Sequence, residues 1–203
     1  MNDLHFDEIR GRKTLILGDV GSGKTALTAL LVTEAVATNQ STDITVIDMA
    51  PERKKFKNVM IGGRVTDFLD DRTKVSVLFP IPELRAPRTE GQTTAEVADF
   101  ARSNAKSIGK LLHKYSANPT PILFINDVSM YLQAGEANEL LKSVKATETF
   151  IANAYQGTTL QNDHDSGISE HERLELNALR NAVDDVIILD AESALTIQNT
   201  IEK

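Results

Sequence analysis

Short apolar, β-branched runs alternate along this chain with stretches of helical periodicity, the pattern of a parallel sheet flanked by helices. The runs are Lys13–Gly18, Asp43–Met49, Lys74–Pro80, Pro121–Asp127, Glu148–Tyr155 and Asp185–Asp190. Several are nearly continuous in apolar residues, as strands covered on both faces should be. Between the first two, Leu27, Leu30, Leu31, Ala35 and Ala37 recur at roughly helical spacing. A second helix is predicted from Thr93 to Tyr115, opened by a capping-box pattern at Thr93 and Glu96 and striped by Val97, Ala101, Ile108, Leu111, Leu112 and Tyr115. A shorter helix covers Glu136 to Ala146, and a last one opens on Ser169 and Glu172 as another capping box and runs to Val183. The expected fold is α/β: one domain over residues 1–203, a three-layer α/β/α sandwich around a mostly parallel sheet of about six strands.

Two segments carry neither period. Pro80–Thr94 holds three prolines with Arg85 and Arg88, and Gln156–Ser169 holds Asp163, His164 and Asp165. Loops of this length are uncommon in a compact domain and are either functional or disordered.

Composition narrows the class without naming it. A chain of 203 residues with 41% hydrophobic and 25% charged content is an ordinary globular protein, long enough for a substantial core. No apolar run approaches the ~20 residues of a membrane span. The stretch Met1 to Lys13 is polar and charged with no signal-peptide core, which predicts a cytoplasmic protein. The absence of cysteine excludes disulfides and thiolate chemistry. A net charge of −7 argues against broad non-specific binding to nucleic acid, leaving room only for a local basic patch. Scarce aromatics and no Trp argue against a base-stacking platform.

The chemistry concentrates in Leu15-Ile16-Leu17-Gly18-Asp19-Val20-Gly21-Ser22-Gly23-Lys24-Thr25-Ala26. Gly18 to Thr25 matches G-x-x-x-x-G-K-[ST], with an apolar run before it and a helical pattern after it. Glycines let the backbone curl so that several N–H groups point at one anion, and the following helix adds its positive dipole end. In such a loop Lys24 reaches the outer phosphates of a nucleoside triphosphate and the Thr25 hydroxyl ligates Mg²⁺. Downstream, Ile122-Leu123-Phe124-Ile125-Asn126-Asp127 is a buried-strand pattern ending in a carboxylate, suited to holding Mg²⁺ beside the phosphates directly or through water.

Together these motifs resemble the P-loop NTPase superfamily (Walker A, then Walker B at Asp127), and the arrangement is most similar to RecA-like ATPases. Asp127-Val128-Ser129 resembles that family in the small or hydroxyl residue that follows the Walker B Asp. Val128 stands where many relatives carry a catalytic Glu. The resemblance therefore implies a water-polarising residue after the second strand, in Val46-Ile47-Asp48-Met49-Ala50-Pro51-Glu52, at Glu52 or failing that Asp48. It also implies a polar γ-phosphate sensor at the end of the next strand, Asn153 or Gln156. A GTPase is disfavoured, because Asn153-Ala154-Tyr155-Gln156 is not Asn-Lys-x-Asp and Asp127 is not followed by x-x-Gly.

The implied activity is a Mg²⁺-dependent ATPase hydrolysing the β–γ bond, acting with an unidentified protein partner or through self-association. A small-molecule or nucleotide kinase, with Arg85, Arg88 or Arg173 gripping an acceptor, and a non-hydrolysing ATP switch are the alternatives. Other clusters read more plainly. Arg53, Lys54, Lys55 and Lys57 form a basic run that either steers phosphate or is simply solvated. Asp163, His164, Asp165 and His171 lack the spacing of a transition-metal site, and a lid over the nucleotide is the better reading.

Overall fold

The computed structural model describes residues 4–56, 59–70 and 72–190. After a one-turn helix α1 (Phe6–Ile9), the apolar run at Lys13 becomes β1 (Lys13–Gly18), and the phosphate-loop sequence turns it into α2 (Lys24–Thr38). Then follow β2 (Ile44–Asp48) and a small hairpin, β3 (Lys54–Phe56) and β4 (Val59–Ile61). Next come β5 (Ser76–Leu78), the one-turn α3 (Pro87–Glu90) and the long α4 (Thr94–Ser116). The chain continues through β6 (Ile122–Asn126), α5 (Ser129–Leu132), α6 (Ala137–Ala146), β7 (Thr149–Tyr155), α7 (Ile168–Arg180) and β8 (Asp185–Leu189).

Six strands form one sheet in the order β5-β2-β6-β7-β1-β8, every pairing parallel. Such a sheet needs a helical layer on each face, and alternation along the strands supplies the two apolar surfaces. Leu15 and Leu17 of β1 face a core shared with α4, α5, α6 and α7, including Ile108, Leu112, Leu140 and Leu179. Ile16 between them faces the other core, with Phe6, Leu27, Leu31 and Phe124, under α1 and α2. The three-layer α/β sandwich expected from the sequence is the one observed, and each of its six strands falls within a predicted run.

The elements between strands hold the differences. The hairpin β3–β4, antiparallel and separate from the main sheet, was not predicted. Pro80–Thr94 contains a helical turn with Pro87 at its first position. The last helix starts at Ile168 with Gly167 as its N-cap at φ 79°, two residues before the expected Ser169 cap. The Ser169-x-x-Glu172 pattern imitates a capping box, but Glu172 instead buries an ion pair with Arg88 at 2.6 Å. At α4 the Thr93 side chain does accept the Glu96 N–H at 3.2 Å, as expected of a cap.

Candidate nucleotide site

All six strands being parallel, their carboxyl ends open on one edge, the usual place for a ligand in such sheets. The loop between β1 and α2 lies there. Gly21 and Gly23 adopt φ of 75° and 87°, conformations a side-chain-bearing residue resists, and this bends the loop around an open centre. The Lys24 ammonium folds back over the loop, donating to the carbonyls of Gly18 at 2.9 Å and Asp19 at 2.7 Å. Beside the loop is a cavity of about 430 Å³ lined by Val20, Gly21, Gly23, Lys24, Thr25 and Ala26. Its remaining lining comes from Asp127, Asn153 and Tyr155, from Leu160 of the 156–169 loop and, on the far side, from Ala50, Phe68 and the hairpin region.

The end of β6 is arranged by buried amides. Register in the sheet pairs Asp48 with Asn126, so these two polar groups sit side by side at the carboxyl edge. The Asn126 amide donates to Asp48 at 2.8 Å and to the Gly63 carbonyl at 3.2 Å, while its Oδ1 receives the Thr25 hydroxyl at 3.3 Å. Asn153 also donates to Asn126 Oδ1 at 2.8 Å and to Thr28 at 2.8 Å, and its own oxygen accepts the Asp127 N–H at 2.9 Å. Thr25 therefore meets Asn126, the last residue of the strand, and Asp127 stands one residue further on.

Asp127 sits at φ 60°, an uncommon conformation that Asp tolerates better than most residues and that clusters at functional positions. It is the one carboxylate lining the cavity among the described residues. Burial pushes its carboxyl up; the Lys24 charge pulls it back, and Glu172 and Asp48 push it further. Burial likewise pushes Lys24 down, against the charges of Asp127 and Asp19.

Asp19 performs a different task. Its carboxylate accepts the N–H groups of Val20 at 2.6 Å, Thr158 at 2.9 Å and Thr159 at 3.4 Å, fastening the long 156–169 loop to the phosphate loop. Burial pushes the Asp19 carboxyl up, yet these N–H donors outweigh it and hold it below its usual range. Gly157 allows the approach: a Cβ there would come within 2.1 Å of the Asp19 carboxyl carbon.

Other candidates lie elsewhere. Glu52 is 70% exposed, 3.6 Å from Arg64, and outside the cavity lining. Asp48 is buried and its carboxylate caps the N–H groups of Ala50 at 3.1 Å and Val65 at 2.6 Å; burial pushes it up and those donors pull it down. Gln156 is exposed, and its backbone N–H donates to Gly18 at 2.9 Å. Arg85 pairs with Glu90 over the Phe100 ring, and Arg173 pairs with Glu170 on the outer face of α7 at 2.6 Å. Asp163 accepts the Ser169 N–H at 3.0 Å near the start of α7, and His171 Nδ1 lies 2.9 Å from the Leu132 carbonyl. Asn126 escaped the sequence reading because the eye goes to the carboxylate. The signal was there, since four apolar residues precede Asn126 and not Asp127.

The oxygen-rich corner formed by Thr25, Asn126 and Asp127 suits a hard cation that also binds phosphate oxygens. Among the described residues no cluster of three or more His, Cys, Asp or Glu forms a self-sufficient metal cage. No helix among the described residues is long and apolar enough to cross a membrane.

No protein-family model matches the chain, and no curated protein sequence matches it. Among solved structures, the flagellar accessory protein FlaH from Methanocaldococcus jannaschii is similar with a TM-score of 0.48 and 9% identity, over 88% of this chain and 71% of that one. An ATPase from the type III secretion system of pathogenic bacteria is similar with a TM-score of 0.43 and 16% identity, over 94% of this chain but only 54% of its own. A protein designated PH0250 from Pyrococcus horikoshii OT3 scores 0.45 at 11% identity, over 93% and 89% of the two chains. All three scores lie below 0.5, so the functional reading rests on the loop, the cavity and the end of β6.

Proposed function

We propose that this chain binds ATP with Mg²⁺ and hydrolyses the β–γ phosphate bond, as a P-loop ATPase of RecA-like type. The observation that carries the reading is the loop Gly18–Thr25, set at the carboxyl end of a parallel sheet and opening with Lys24 onto a cavity that also holds Asp127. In this reading the backbone N–H groups from Gly18 through Ala26 and the Lys24 ammonium hold the phosphates. Mg²⁺, when bound, neutralises charge on the β- and γ-phosphates. Thr25 would hold it, with Asn126 Oδ1 beside that hydroxyl.

The 3.3 Å contact between Thr25 and Asn126 favours the amide as the group beside the metal. It leaves Asp127 to act on the attacking water, a task that calls for a carboxylate within reach and a pKa raised toward neutrality. Glu52, exposed and outside the lining, is poorly placed for it. Asn153 supports the site from beneath: both amide hydrogens and its oxygen are engaged, so it orients Asn126 and Asp127.

The experiment is phosphate release from ATP by the purified protein, with and without Mg²⁺, with GTP as comparison and with added nucleoside monophosphates or polyols as acceptors. The reading predicts Mg²⁺-dependent release that acceptors do not accelerate. Transfer to an acceptor far above free hydrolysis establishes the kinase instead. The apolar far side of the cavity, Ala50, Met60, Ile61 and Phe68, is the place such an acceptor would occupy. Tight ATP binding with no turnover establishes the switch.

A further inference from the structure

A triphosphate brings about four negative charges at neutral pH, and the phosphate-loop side of the cavity sets against them a single ammonium, Lys24. The opposite wall carries a second cation. Arg53 lines the cavity from the residue just before β3, its guanidinium carbon 6.0 Å from the centre of the Phe68 ring, which lines the cavity too. The backbone two residues before it is tied to the phosphate loop by a chain of hydrogen bonds. Thr25 bonds Asn126 at 3.3 Å, Asn126 bonds the Gly63 carbonyl at 3.2 Å, and the Gly63 N–H bonds the Pro51 carbonyl at 3.2 Å. Gly62 seals the same corner, packed so that a Cβ would lie 2.8 Å from the Glu52 carbonyl oxygen.

Lys55 of the same hairpin is exposed and outside the lining, and the neighbouring cations are paired. Lys54 pairs with Glu90, and so does Arg85. Arg64 lies between Glu52 and Glu83, and Arg88 is buried against Glu172. Among the described residues no carboxylate pairs with Arg53; its one recorded contact is the face of Phe68. A guanidinium that lines the cavity beside an aromatic face, and is exposed enough to meet a ligand, is suited to a multi-oxygen anion.

We infer that Arg53 is a catalytic residue of the proposed hydrolysis, an arginine supplied by the same chain that grips the γ-phosphoryl group as it transfers. The inference rests on the ATPase reading above. In the step, the water oxygen bonds to the γ-phosphorus while the bond from that phosphorus to the β–γ bridging oxygen breaks. The electron pair leaves with ADP, and the water proton passes to solvent. Arg53 stabilises charge on the equatorial oxygens, opposite Lys24, and its contribution is greatest where that charge is most spread.

The test compares wild type with R53A, R53Q, R53K and K55A. The last removes the same charge from the same hairpin at an exposed residue outside the lining. R53Q keeps part of the stem over Phe68 and serves if R53A melts early. Expected are a loss of kcat on the order of 10²–10³-fold in R53A and R53Q, ADP affinity within about twofold of wild type, and partial recovery in R53K. The same two variants should fail to trap ADP with aluminium fluoride, a mimic of the transferring phosphoryl group. K55A should behave as wild type. Turnover in R53A and R53Q equal to K55A overturns the inference and leaves the ATPase standing. A wild-type protein that neither binds nor hydrolyses ATP overturns both.

Discussion

The two walls of the cavity are built on different terms. On one side, Gly18–Thr25 takes its form from local sequence, because glycines at φ 75° and 87° and a helix start determine the bend within eight residues. On the other, Arg53, the hairpin and Phe68 have almost no local signal. The chain around them is tied to distant residues, Gly63 to Asn126 and Lys54 to Glu90. Binding is expected to reside in the first wall and the fate of the γ-phosphate in the junction with the second.

The sharpest way to break that division is at the junction itself. Asp127→Asn should lower turnover on the order of 10²–10³-fold with ATP still bound, while Glu52→Gln should stay within about threefold of wild type; steady-state phosphate release decides. The reverse ranking would return the water to Glu52 and give Asp127 to the metal. Next in size is Gly157→Ala. The new methyl must displace Asp19 and its N–H donors, so overpacking should cost about 1–3 kcal/mol in thermal unfolding and weaken ATP several-fold. Unchanged melting and affinity would mean that the 156–169 loop is not coupled to the phosphate loop.

The smallest effect concerns the far wall and pH. Burial pushes the Glu90 carboxyl up, but hydrogen bonds from Lys54, Arg85 and the Ala86 N–H hold it at about 2, against an ordinary 4.5. A carboxyl lowered by folding stabilises the native state above its unfolded pKa and loses that contribution as pH falls through the folded one. The clasp should therefore be complete above pH 4.5 and vanish toward pH 2. Glu90→Gln should be less stable than wild type at pH 7, with the gap closing over that range in acid denaturation. A gap that persists at pH 2 would assign Glu90 a packing role instead.

The same contrast explains what was legible in the sequence. Strands such as Ile122–Asn126 are apolar on both faces, so their pattern survives any context. The hairpin strands are three residues each, too short for a period to register, and Lys54-Lys55 reads as a solvated charge run. Ser169 and Glu172 misled because a local pattern competed with a buried long-range partner, Arg88. At the site, the phosphate loop was readable as a motif. The division of labour between Asn126 and Asp127 was not, because a carboxylate one residue past a strand end looks the same as one upon it.

The central claim is that a triphosphate sits on the Gly18–Thr25 wall, held by Lys24. It is tested most directly by calorimetric titration of wild type and Lys24→Ala with ATP in the presence of Mg²⁺. The account predicts saturable one-to-one binding by wild type and affinity weaker on the order of a hundredfold in the variant, the loss of a charge-assisted contact in a dry site. Equal affinity in the two proteins, or no binding by wild type, would contradict it.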